Sequence, residues 1–82
     1  MTTLAQESAH KAAVIAAEGA KQTSMAAAKA AYNNTPAAWP AYDAAVKASD
    51  AANMRAIIAS CATNGLADGP RQSLYYLTGS WT

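Results

Sequence analysis

Between Thr3 and Asn33 the chain has no proline and one glycine, Gly19, and a small residue returns along this stretch at alternating steps of four and three: Ala5, Ala9, Ala12, Ala16, Gly19, Thr23, Ala26 and Ala30. That spacing is the signature of one face of an α-helix. Ala13, Ala17, Ala20, Ala27 and Ala31 widen the same side, and Glu7, Lys11, Glu18, Lys21 and Lys29 fall opposite. Roughly 30 residues of helix would measure about 45 Å at a rise of about 1.5 Å per residue. A side paved with small residues lets a second backbone approach at or below the usual axis separation of about 8–10 Å. The face is therefore expected to meet another helix.

Local chemistry places the ends. Thr2 or Thr3 can cap the first helix, with Gln6 and Glu7 in its opening turns, where acceptors and negative charge suit the helix dipole. Glu7 and Lys11 have the spacing of a favourable i,i+4 ion pair. Asn33-Asn34-Thr35-Pro36 stops the helix, because asparagine tolerates the left-handed conformation and a residue before proline avoids the helical one. The connector to Trp39 is short, as between antiparallel neighbours. Pro40 suits a first helical position, and Asn64-Gly65 is a C-terminal stop. On the second helix Ala41, Ala45, Ala48, Ala52, Ala56, Ala59 and Thr63 repeat the small face, Tyr42, Val46, Asn53 and Ile57 flank it, and Asp43, Lys47 and Asp50 lie on the far side. After the turn Leu66-Ala67-Asp68-Gly69-Pro70, a short third helix ends at Gly79 with Leu74 and Leu77 inward. A strand over 73–78 would suit Tyr-Tyr and Thr, but no second strand is available to pair with it. The expectation is all-α: a single domain 1–82, with helices at about 3–33, 40–63 and 70–78, the first two forming an antiparallel alanine-faced hairpin.

Alanine supplies 24 of the 82 residues and phenylalanine none. Alanine is the best helix former but buries little surface, at about 25 cal/mol per Å². The larger side chains Leu4, Val14, Ile15, Met25 and Tyr32 on one helix, and Tyr42, Val46, Met54, Ile57 and Ile58 on the other, would stay wet in a lone hairpin. Small domains usually need a staple. Cys61 is the only cysteine and His10 the only histidine, so neither an internal disulfide nor a metal site is expected. Self-association remains, with hairpins assembling into a helical bundle as a dimer or larger.

The net charge is +1 and its charges are interspersed, which gives no electrostatic basis for nonspecific nucleic-acid binding. No apolar run reaches the roughly 20 residues of a membrane span, and the opening residues Met1 to Glu7 lack the basic and apolar regions of a signal peptide. A lone cysteine fits a reducing compartment, so a cytoplasmic location is expected.

Cys61 and His10 could act as nucleophile and base, since an antiparallel hairpin brings their ends together. No oxyanion loop or orienting carboxylate accompanies them, and a buried, inert thiol is the plainer reading. An ice-binding helix would want threonines at eleven-residue spacing, which the chain lacks. Arg71, Tyr75, Tyr76 and Trp81 gather residue types enriched at binding hot spots, with Trp39 and Tyr42 at the opposite end of the hairpin; the same residues could simply cap an apolar end. In general style the chain resembles small accessory proteins of bacteria and their viruses. The functional expectation is a non-enzymatic interaction protein, homo-oligomeric and without cofactor, that binds or blocks another macromolecule, with a protein as the expected partner. The alternative is a binder of a small anionic, nucleotide-like metabolite at subunit seams.

Overall fold

A computed structural model describes residues 2–67 and 69–82. Met1, and Asp68 of the predicted turn, lie outside the described residues. The chain is all-α: α1 (Leu4–Tyr32), a single 3-10 turn (Pro36–Ala38), α2 (Trp39–Asn64) and α3 (Arg71–Thr78). No strand occurs among the described residues.

The ends form as local chemistry directs. Thr3 Oγ1 accepts from the Gln6 N–H at 3.1 Å, and Gln6 Oε1 accepts from the Thr3 N–H at 2.8 Å, closing a capping box that satisfies two otherwise orphaned donors. Glu7 accepts from the Thr2 hydroxyl and does not form the predicted ion pair with Lys11 among the described residues. Asn33 caps α1 in the left-handed region and Asn34 follows there, at φ 46° and 52°. Pro40 sits one residue inside α2, whose first residue is Trp39. Gly65 ends α2 at φ 70°, where a Cβ would be strained and would also meet the Gln6 side chain at 3.6 Å.

α1 and α2 run antiparallel. His10 faces Ser60, Glu18 faces Asn53, Lys21 faces Asp50 and Tyr32 faces Tyr42. The principal extents are 50 × 24 × 11 Å, so the molecule is elongated and about one helix diameter thick. α3 lies against α2 on the side away from the alanine face, and Ala51, Ile58 and Leu74 form the core cluster, with Met54 and Leu77 packed around it. Leu74, at 1% exposure, is the only large side chain fully buried among the described residues.

The centres of the alanine stripes do not make the helix contact, although Ala13 and Ala17 at the edge of the α1 side do. Every member of the α1 set from Ala5 to Ala30 is exposed, and so is the α2 set apart from half-buried Ala45. The seam instead uses Gln6, His10, Ala13, Val14, Ala17, Lys21 and Ala28 of α1. At about 100° per residue, this line is rotated well over a quarter-turn from the stripe. Small size permits close approach without supplying a reason for it. The contact follows the positions where hydrogen bonds, one ion pair and larger apolar groups can meet together. Lys21 and Asp50, placed on outer faces by the sequence, are thus drawn into the seam.

Candidate functional site

The seam carries a ladder of polar side chains. On α2, Ser49, Asn53, Ser60 and Asn64 recur at steps of four, seven and four, on the side facing α1. His10 Nδ1 and Ser60 Oγ are 2.8 Å apart, with the proton's place set by the histidine tautomer. Asn64 donates to the same Oγ at 3.1 Å and to the Ser60 carbonyl at 2.9 Å. Asn53 donates to Glu18 at 3.3 Å, and Ser49 donates to the Ala45 carbonyl at 3.0 Å. Lys21 meets Asp50 at 2.8 Å. That hydrogen bond, and then the charge of Asp50, hold the Lys21 pKa above its ordinary value. No buried side-chain nitrogen or oxygen among the described residues lacks a partner. A fully satisfied ladder fixes the register of two helices whose alanines would tolerate sliding.

His10 therefore reaches Ser60 and not the adjacent Cys61, which is buried. A serine beside a histidine is the beginning of a nucleophile–base pair. Ser60 is itself buried, and its Oγ is shared with Asn64 on one side and His10 on the other, so this pair serves as a structural bridge. The described residues bring no three metal-ligating side chains together.

The residues singled out at the chain's two aromatic regions separate into two groups. Trp39 and Tyr42 join Tyr32 at the loop end, with ring centroids 4.9–5.8 Å apart. Tyr32 locks the loop from the α1 side, so this group is a clasp on the connector. In the tail, the Trp81 ring stacks on Tyr75 at 4.3 Å and 13°, and Arg71 Nη1 donates to the Trp81 carbonyl at 2.9 Å. These contacts fold the last residues back over α3. Tyr76 points outward at 76% exposure, with a long contact from Gln72.

Behind the tail, an open cavity of about 300 Å³ lies between α2 and α3. It is walled by Ile58, Leu74 and Trp81 and edged by Arg55 and Arg71. Arg55 was not evident from the sequence, because its place beside Trp81 depends on how α3 docks. Two smaller, more enclosed crevices of about 90 and 80 Å³ follow the seam, lined by Ala20, Ala52 and Ala56 in one and by Ala31, Ala41 and Ala45 in the other. The alanines of both helices thus border the seam on the same side and form one broad surface.

The fold defines a class, the antiparallel helical hairpin with a docked third helix. No family model, curated protein or solved structure matches the chain. No helix among the described residues is long and apolar enough to cross a membrane.

Proposed function

We propose that this chain is a non-enzymatic interaction protein that works as a homo-oligomer, one copy laying its alanine-paved side on another and leaving the remaining apolar surface for a protein partner. The observation that carries this reading is surface area. The chain exposes 5456 Å² for a mass of 8.4 kDa, whereas a folded monomer of that mass is expected to expose about 4,600 Å². The excess, roughly 800 Å², matches what one partner contributes to a standard protein interface.

Two copies related by a two-fold axis, with their exposed small residues in contact, would form a two-layer, four-helix arrangement. Of the larger side chains expected at the subunit interface, Ile58 is buried under α3, and Met25 and Ile57 are half-buried. Ile15 and Leu4 stay open at 62% and 84% exposure, and with Tyr76 they supply surface for a different protein.

Light scattering coupled to size exclusion tests the reading. The wild type is expected to run as a dimer or larger at micromolar concentration, with a melting temperature that rises with concentration. Ala16→Glu and Ala52→Glu both change exposed positions. They should lower the mass to that of a monomer while helical circular dichroism is kept. A wild type that is monomeric at all concentrations, with a concentration-independent melt, would refute self-association.

A further inference from the structure

We infer that the cavity between α2 and the folded-back tail is a binding site for a small aromatic carboxylate, held by stacking against Trp81 and by the guanidinium of Arg55. Neither self-association nor a protein partner is required for this site, which is built within one chain. The cavity volume, about 300 Å³, stands at the lower edge of the range of roughly 300–1,000 Å³ typical of ligand pockets. It suits a single ring and is small for a nucleotide, and its lining comes from one copy.

The walls specify the ligand's two ends. Ile58 and Leu74 close the cavity with aliphatic carbon, and the indole of Trp81 forms an aromatic side. Tyr75 stacks on this indole at 4.3 Å, and Arg71 fixes its backbone carbonyl, so the wall is positioned before a ligand arrives. Such preorganisation lowers the ordering cost of binding. The rim carries a guanidinium: Arg55 lines it and makes no ion pair among the described residues. A planar guanidinium recognises a carboxylate through two parallel N–H···O bonds. An apolar ring inside and a carboxylate at the mouth satisfy both halves of the cavity.

Benzoate is the probe, titrated into the full chain carrying Trp39→Phe, which leaves Trp81 as its only tryptophan. Tryptophan fluorescence and the methyl NMR shifts of Ile58 and Leu74 report binding. Saturable changes in both signals are expected, with a dissociation constant in about the millimolar range or tighter for so small a ligand. Arg55→Gln alters an exposed side chain and should weaken binding about three- to tenfold, allowing for solvent screening of the rim charge. Benzyl alcohol, which keeps the ring without the charge, and acetate, which keeps the charge without the ring, should each bind at least about tenfold more weakly, the equivalent of roughly 1.4 kcal/mol. Non-saturating changes would overturn the assignment. So would equal affinity in Arg55→Gln, or benzyl alcohol or acetate binding as tightly as benzoate.

Discussion

Leu74→Ala should separate the third helix from the hairpin without unfolding the hairpin. Leu74 is the one large side chain fully buried among the described residues, and it clusters with Ala51 and Ile58 of α2. Burying a leucine side chain contributes about 1.5–3 kcal/mol, and the cavity left by truncation brings the usual loss to roughly 3–5 kcal/mol. α3 has eight residues, too few to be helical in isolation, since helices below about 12–15 residues are marginal in water. Its stability is therefore the free energy of its docking, a quantity typical of local opening and smaller than that of the whole molecule. A loss of about 3 kcal/mol corresponds to roughly a 150-fold rise in the open population. Amide hydrogen exchange followed by NMR should show α3 protection falling by about two orders of magnitude. Seam amides of α1 and α2 should change by less than about threefold. The Tyr75–Trp81 stack should dissolve with α3, shifting tryptophan emission to the red. An equal loss of protection in all helices would refute the reasoning by showing one cooperative unit. Unchanged protection of α3 would show that Leu74 is not its anchor.

His10→Ala removes the bridge to Ser60 and should cost about 1–3 kcal/mol, read as a lower urea midpoint; an unchanged midpoint would mean the bridge adds nothing. For Lys21, the folded-state pKa is raised by Asp50, so the pair's contribution is fully present below the unfolded value near 10.5 and is lost as pH rises through the higher folded value. The stability difference between wild type and Asp50→Asn should be at most about 1 kcal/mol at neutral pH, as for partly exposed pairs. That difference should shrink above the ordinary lysine value, and one that persists there would assign it to something other than charge.

The elements were legible in the sequence because their ends are set locally. Thr3 and Gln6, Asn33, Gly65 and Gly79 each act through their own backbone preferences or a partner within a few residues, and the observed bounds fall within a residue or two of those expected. Which way each helix faces was not legible. The period of the alanines is genuine, but exposed alanine carries almost no penalty, so a regular stripe does not have to be buried. The ladder of Ser49, Asn53, Ser60 and Asn64 held the information, as did Tyr42, Val46 and Ile57 on the same flank. It was harder to see because polar residues are normally assigned outward, and only pairing with His10 and Glu18 of a distant segment makes their burial favourable. Arg71, Tyr75 and Trp81 did prove to be neighbours, whereas Arg55 joined them only through the placement of α3.

The clasp of Tyr32, Trp39 and Tyr42 bears on how the chain comes together in time. Its rings join residues at most ten positions apart, while the bridge at the other end of the hairpin spans fifty. Closing a loop of about ten residues takes on the order of 10–100 ns, and distant pairs must bear a larger closure entropy before any contact offsets it. The molecule should accordingly zip from its looped end toward its open one, with the rings gripping first and each rung shortening the loop that the next must close. Conservative substitution at Tyr42 should then slow folding, and substitution at His10 should mainly hasten unfolding; equal effects on both rates at both positions would exclude this order. The same gradient makes the His10–Ser60 end the first place where water enters.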